Sequence, residues 1–183
     1  MERRRERTII MAALFAAVSV ALGRLLAEIP NVELMTLTVF MAGACCGARL
    51  GGAVGALSIL LHSLLNPLGP APAPLLAAQT AGFIMVGSLG GIAGPRIKPN
   101  GAWGVVVSAA AGFSLTLAYD VLTTLATAFI ALGSPRFVEG LRGFFVAGVL
   151  FVAWHVGINT IVFGLAVLPL LRAVRAWQGG ETF

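Results

Sequence analysis

Charged residues are scarce in this sequence: Asp, Glu, Lys and Arg make up 10% of the 183 residues, while 58% are hydrophobic. An average soluble domain has about a quarter of its residues charged, so these few charges cannot cover a surface that faces water. Large soluble domains are therefore excluded, and an integral membrane protein is indicated. At roughly 20 apolar residues per crossing, the chain has room for about six crossings joined by short loops.

Cysteine and the usual catalytic motifs are scarce as well. The two cysteines, Cys45 and Cys46, are adjacent within an apolar run, where a disulfide between them would be strained, so we expect reduced packing residues. The sequence contains no Gly-Xaa-Ser-Xaa-Gly elbow, no His-Glu-Xaa-Xaa-His and no phosphate-binding Gly-Lys loop. We therefore predict that the protein is not an enzyme, needs no cofactor or metal, and cannot hydrolyse ATP by itself.

The basic residues indicate orientation rather than nucleic-acid binding. The net charge is +5, but Lys and Arg stand at the edges of apolar runs and are not interleaved with aromatic residues. A cluster of four arginines precedes the first apolar run, and the positive-inside tendency places it in the cytoplasm. That run continues to about Ala27, which is longer than a signal-peptide core, so we predict an uncleaved first span.

The predicted fold is an all-α integral membrane bundle of six transmembrane helices with both termini cytoplasmic, formed by the single domain 1–183. We predict spans at about 8–27, 34–48, 50–65, 75–93, 102–132 and 143–171. Nine of the 12 Lys and Arg residues then lie at the cytoplasmic face, at positions 3, 4, 5, 7, 49, 96, 98, 172 and 175. The alternative is a five-span chain in which 34–65 forms one long helix broken at Arg49, and it would bury Arg49 in the membrane at a cost of several kcal/mol.

Small residues recur four apart on several predicted spans. The glycine stripes, at positions 47, 51 and 55 and at 87 and 91, favour close helix packing within the chain. The first span carries a doubled alanine stripe that suits a partner helix; it consists of Ala12, Ala13, Ala16, Ala17 and Ala21. We therefore interpret the alanine stripe as a partner-coupling surface.

Polar residues within the predicted spans collect in the outer half of the protein. Asp120 is the only acid inside a predicted span, and an unpaired carboxylate is costly there, so it is paired, protonated or functional. The predicted substrate-binding residues are Asn31, Glu33, His62, Asn66, Gln79, Tyr119, Asp120, His155 and Asn159. Structural alternatives stay open: His155 and Asn159 form an interhelical hydrogen bond, or Gln79 caps exposed backbone. A metal site formed by the two histidines and Asp120 is a minor alternative.

Several segments together resemble the substrate-binding subunit, or S component, of the energy-coupling factor (ECF) family of vitamin transporters. The matching segments are the basic N-terminus with 12–21, Ile29-Pro30-Asn31-Val32-Glu33-Leu34, 42–51 with its Gly-Ala-Arg turn, and 64–70 with Gln79. The resemblance covers nearly the whole chain in length and span order.

This resemblance implies a six-helix subunit of the cell membrane that binds a water-soluble vitamin or related micronutrient in an outward pocket. It implies that the alanine stripe couples to a transmembrane scaffold subunit carrying two ATPases, and that toppling in the lipid bilayer delivers the substrate. The pocket residues suggest a neutral or cationic heterocycle, without selecting among riboflavin, thiamine, pyridoxine, a corrinoid or a modified purine. The alternative functions are a stand-alone carrier or channel and, less favoured, an intramembrane enzyme or metal protein.

Overall fold

The computed structural model describes residues 2–27, 29, 33–98, 101–131 and 137–179. Regular structure in these residues is entirely helical, which confirms the all-α prediction for this part of the chain. The helices are α1 (Glu2–Leu25), α2 (Met35–Cys46), α3 (Ala48–Leu64), α4 (Ala73–Ala93), α5 (Ala102–Ala131) and α6 (Phe137–Gly179), and a 3₁₀ turn at Gly94–Arg96 follows α4.

Four of these helices are long and apolar enough to cross a membrane. The apolar segments are Arg5–Leu25 in α1, Ala73–Arg96 in α4 and its 3₁₀ turn, Ala102–Ala131 in α5 and Gly148–Trp177 in α6. The other two are shorter: α2 has 12 residues and α3 has 17. At about 1.5 Å per residue, α2 is roughly 18 Å long and α3 roughly 26 Å, whereas a hydrocarbon core is about 30 Å thick.

The chain turns back between α2 and α3 at Gly47. The φ angle of Gly47 is 90°, a conformation that costs glycine nothing but strains other residues. A Cβ atom on Gly51 would lie 2.4 Å from the Cα atom of Gly43, so the two helices pack side by side as a hairpin. The prediction of a break at Arg49 was therefore two residues late, and Arg49 lies in the first turn of α3. The alternative of one long helix over 34–65 is wrong.

Two helices extend further than the apolar runs predicted. Helix α1 begins at Glu2 instead of residue 8, and α6 covers Phe137–Gly179 instead of 143–171. Both extensions contain Arg and Glu, which form helices well although they do not favour the membrane. Hydrophobicity thus located these helices but underestimated the lengths of α1 and α6. Helix α5 agrees with its predicted span up to Ala131, and Leu132 lies outside the described residues.

Helix α2 lies at the centre of the bundle and contacts α1, α3, α4 and α6. All of its residues from Met35 to Gly43 are buried. Glycines bring α4 against the α2–α3 hairpin, since a Cβ atom on Gly87 would lie 2.0 Å from the carbonyl oxygen of Gly51. The glycines at positions 51, 55, 87 and 91 therefore pack helices within the chain, as predicted, whereas Gly47 of the same stripe forms the turn, and a Cβ atom there would meet nothing within 4 Å. On another side of α2, the rings of Phe40 and Phe163 meet edge to face with centroids 5.3 Å apart.

One end of the bundle collects basic residues, and we call it the basic end. The 3₁₀ turn with Arg96 lies there beside the α2–α3 turn, because a Cβ atom on Gly94 would lie 2.4 Å from that of Ala44. Arg175, near the end of α6, donates a hydrogen bond to the Gly94 carbonyl oxygen at 3.1 Å. The opposite end contains the end of α1, the start of α2 and the end of α3, where Gly23 contacts Met35 and His62.

Candidate functional site

A cavity of about 340 Å³ lies at the end of the bundle opposite the basic end. All six helices or their adjoining loops contribute to its wall. The residues that line it are Gly23, Leu26, Ala27, Ile29, Glu33, Met35, Ile59, His62, Gln79, Phe83, Tyr119, Phe151 and His155. Five of the predicted substrate-binding residues are among them: Glu33, His62, Gln79, Tyr119 and His155.

His155 connects two carboxyl groups at the wall of this cavity. Its Nδ1–H group donates to both oxygens of Asp120, with Nδ1 to oxygen distances of 2.9 and 3.1 Å. On the other side of the imidazole ring, Nε2 lies 3.7 Å from Oε1 of Glu33. Asp120 and His155 are both buried. Asp120 is therefore paired, as its burial required, and its partner is on α6.

Glu33 is fixed just before the first turn of α2. One oxygen of its carboxylate accepts a hydrogen bond from the backbone N–H of Thr36 at 3.1 Å, and the other accepts from the Thr36 hydroxyl. This arrangement satisfies donors that the helix itself leaves free. Burial alone would raise the pKa of the Glu33 carboxyl, but the nearby imidazole of His155 and the hydrogen bonds of Thr36 outweigh it and lower that pKa. Glu33 is thus an anion at neutral pH.

Aromatic rings form much of the remaining wall. Phe83 and Tyr119 pack edge to face with centroids 5.4 Å apart, and Gln79 hydrogen bonds to Tyr119. The Phe151 ring lies 6.1 Å from the His155 ring. The sequence prediction missed Phe83 and Phe151, although each is four residues, or one helical turn, from a predicted polar residue. That spacing was the available signal.

His62 stands on the opposite wall, at the end of α3. Its carbonyl oxygen accepts a hydrogen bond from the Arg24 guanidinium, which joins α3 to the last turn of α1. Its Nδ1 atom is buried and has no hydrogen-bond partner among the described residues. Arg24 itself does not line the cavity. The guanidinium of Arg24 thus bonds to the backbone of His62 and not to its imidazole ring.

Three predicted residues, Asn66, Asp120 and Asn159, do not line the cavity. Asn66 accepts a hydrogen bond from the backbone N–H of Leu68 at 3.0 Å and so shapes the proline-rich turn after α3. Asp120 lies behind His155. Asn159 is fully buried one turn further along α6, and in the described part of the chain its amide has no hydrogen-bond partner. His155 therefore forms an interhelical hydrogen bond, as the structural alternative expected, but its partner is Asp120 and Asn159 takes no part. Asn31 lies outside the described residues.

The doubled alanine stripe divides between two environments. Ala12 and Ala16 are 6% and 4% exposed and pack in the hydrophobic core of this chain. Ala13, Ala17 and Ala21 are exposed. The exposed strip of small residues therefore consists of three alanines, because the neighbouring row of Ala12 and Ala16 packs α1 against the bundle.

A second, larger cleft of about 1220 Å³ lies between α5 and α6. Its lining is mainly apolar, and Asp120 is the only ionisable residue among those described there. Three of its four threonines, at positions 123, 127 and 160, donate their hydroxyl groups to carbonyl oxygens of their own helices; Thr160, for instance, donates to the Val156 carbonyl oxygen at 2.6 Å. The cleft therefore offers few groups that would recognise a polar solute, unlike the smaller cavity.

Within the described ranges, no group of three His, Cys, Asp or Glu side chains has the arrangement of a metal site. The cavity instead presents hydrogen-bonding groups on one wall and aromatic rings on the others, a combination typical of small-molecule sites. Comparison with models of known protein families, with curated proteins and with solved structures finds no match for this chain.

Proposed function

We propose that this chain is the substrate-binding subunit of an ECF-type importer, which takes a water-soluble vitamin or related micronutrient from outside the cell. The observation that carries the proposal is the cavity of about 340 Å³ with Glu33, His155, Gln79 and Tyr119 in its wall. Polar groups buried in a membrane protein are expensive, and they are commonly found where a solute or ion is bound. The cavity size suits a solute of one or two rings.

The distribution of charge supports an orientation with six spans and both termini in the cytoplasm. Arg49, Arg96, Lys98 and Arg175 belong to the basic end, which the positive-inside tendency assigns to the cytoplasm. The cavity is at the other end and would open outward. In this orientation the α2–α3 hairpin enters from outside and returns, with α2 shielded from lipid by its neighbours.

The exposed strip of Ala13, Ala17 and Ala21 supports a partner. Small residues four apart let two helix backbones approach closely, which drives helix association where lipid supplies no hydrophobic force. Since no ATP-binding motif occurs in the sequence, energy for uptake would come from the partner assembly. We assign this role to a transmembrane scaffold subunit that carries two ATPases.

Mass spectrometry of the purified chain tests the solute-binding part of this proposal. We expect one small molecule to be released on denaturation, and to be absent when His155 is replaced by Phe and Glu33 by Leu. Uptake of that molecule into vesicles tests the coupling. Uptake should require the scaffold and the ATPases, whereas uptake by the chain alone would support a stand-alone carrier and contradict the proposal.

A further inference from the structure

Among the described residues that line the cavity, Glu33 is the only carboxylic acid, and its carboxylate is negatively charged at neutral pH. Glu33 faces the cavity, and neither Lys nor Arg is among the residues that line it. The nearby guanidinium of Arg24 donates to the carbonyl oxygen of His62, and Arg24 is not among the lining residues. An anionic solute would therefore meet Glu33 without a guanidinium or ammonium group to bind it.

His155 does not reverse this balance. Its imidazole ring stands between Asp120, at 2.9 Å from Nδ1, and Glu33, at 3.7 Å from Nε2. Even when the ring carries both protons, two carboxylates outnumber one imidazolium, and one negative charge remains. Desolvation makes such a charge costly unless a cation approaches it. This wall of the cavity thus favours a positively charged partner.

Glu33 also has acceptor capacity that the protein leaves unused. Each of its oxygens accepts one hydrogen bond from Thr36, whereas a carboxylate can accept about four in total. The distance of 3.7 Å from His155 Nε2 to Glu33 Oε1 exceeds the usual 2.7–3.2 Å of an N–H···O hydrogen bond. A ligand N–H group can therefore bind Glu33 without displacing an existing strong hydrogen bond.

The other walls supply flat apolar surfaces. Phe83 and Tyr119 are fixed edge to face, and Phe151 stands beside His155. Aromatic faces attract planar rings and, through their negative quadrupole, cations as well. The volume of about 340 Å³ is near the lower limit of small-molecule pockets, which restricts the ligand to about one or two rings.

From these four features we infer that the cavity binds a compact aromatic cation, whose charged N–H donors contact Glu33 while its ring packs among Phe83, Tyr119 and Phe151. This inference rests on the proposed function, because it names the class of solute that the same site would take. The ring of the ligand would provide the contact area, and the Glu33 carboxylate would select cationic ligands over neutral and anionic ones.

Three probes of nearly equal shape test the inference: benzamidinium, neutral benzamide and anionic benzoate. We suggest measuring their binding to the full chain in phosphatidylcholine nanodiscs by saturation-transfer NMR, with empty nanodiscs as the blank. The expected order is benzamidinium first, at least tenfold tighter than benzamide, with benzoate weakest. Benzoate or benzamide binding as tightly as benzamidinium would overturn the inference, and so would the absence of binding by all three.

Variants at Glu33 assign the discrimination to this carboxylate. Glu33→Gln retains the shape and an acceptor for Thr36, and it should weaken benzamidinium binding about tenfold while leaving benzamide within twofold. Glu33→Asp retains the charge and should keep the preference for the cation. Glu6→Gln, at an exposed position near the start of α1, removes an equal charge far from the cavity and should change nothing. An unchanged preference in Glu33→Gln would refute the role of Glu33.

The proposed function fails on a different observation. If benzoate binds best, the cavity still binds a solute, so only the solute class is wrong. If the purified chain releases no small molecule and the complete assembly takes up none, the transport function is wrong whatever the probes do.

Discussion

Asp120 and His155 form a hydrogen-bonded pair across the interface of α5 and α6, with 2.9 Å between Oδ1 and Nδ1. The two residues are 35 positions apart in sequence, and each is buried. The pair fixes the register of two antiparallel helices at the level of the cavity. It also orients the imidazole ring so that Nε2 faces Glu33.

Removing either member of this pair should destabilise the protein. Asp120→Asn leaves His155 without its carboxylate, and we expect the free energy of unfolding to fall by about 1–3 kcal/mol. A double-mutant cycle with His155→Gln should give a coupling energy of about 0.5–3 kcal/mol. Thermal unfolding in detergent measures both quantities. Thr127→Val is the matched control, because this exposed hydroxyl bonds only to its own helix; additive effects of the two substitutions would show that the pair contributes nothing.

Acid should weaken the contacts of Glu33. Because folding lowers the pKa of this carboxyl below its ordinary value of 4.5, its stabilisation is fully present above that pH and is lost as the pH falls through the folded pKa. We expect the melting temperature of the wild type to fall below about pH 4.5, and Glu33→Gln to show a smaller fall. Glu6→Gln serves as the control and should retain the wild-type profile. Identical profiles for all three chains would contradict the prediction.

Glycine at position 87 should be irreplaceable. A Cβ atom there would lie 2.0 Å from the Gly51 carbonyl oxygen, which is backbone and cannot rotate away. We expect Gly87→Ala to destabilise the bundle by about 1–3 kcal/mol or more. Gly157→Ala is the matched control, since nothing lies within 4 Å of its added Cβ atom. That variant should be neutral or stabilised by up to about 1 kcal/mol through helix propensity, and equal melting temperatures for the two variants would refute the packing argument.

Replacing an alanine of α1 by leucine should have different effects in the exposed row and in the buried row. Ala17→Leu lies on the exposed strip, so it should leave folding and solute binding intact but abolish association with the scaffold subunit. Ala16→Leu adds the same volume inside the core and should destabilise the chain by about 1–3 kcal/mol. Co-purification with the scaffold and thermal unfolding separate the two effects. Normal assembly and uptake in Ala17→Leu, and likewise in Ala13→Leu, would contradict the proposed coupling surface.

The side-chain amide of Asn159 should lower the stability of the folded protein relative to an apolar side chain of the same size. Its side chain is fully buried, and neither amide atom has a partner among the described residues. Asn159→Leu has a similar volume and removes the unsatisfied groups, so we expect the free energy of unfolding to rise by about 1 kcal/mol. Asn159→Asp, which keeps the shape and adds a charge, should instead destabilise. A less stable Leu variant would indicate that the amide has a partner in the native protein, such as bound water.

The positions of the helices could be predicted from the sequence better than their lengths. Likewise, the polar residues of the cavity wall could be predicted better than its aromatic residues. Hydrophobic runs locate helices because each run must be buried or face lipid, but the Arg- and Glu-containing ends of α1 and α6 are helical without being apolar. The break at Gly47 depends on the positive φ angle of that residue. The sequence prediction placed the break at Arg49 instead, because a charged residue interrupts the apolar run there. Polar residues such as Asp120 and His155 were recognisable because they are costly in an apolar setting, whereas Glu33 was included because its loop lies at the same end of the protein.

Other features depend on three-dimensional register, and the sequence carried at most a weak signal for them. The pairing of Asp120 with His155 follows from how α5 and α6 align. Phe83 and Phe151 look like ordinary packing residues until their neighbours are known. The division of the alanine rows depends equally on which side of α1 meets the core.

The burial of α2 on every side has a consequence for biosynthesis. A helix of 12 residues that has no face directed to lipid gains little from entering the membrane alone. In the proposed membrane orientation we expect it to enter together with α3, as one unit closed at Gly47, and to become enclosed only once α4 and α6 have been synthesised. The centre of the protein would therefore be completed last. Until then, the surfaces of α2 that pack against α4 and α6 would stay uncovered.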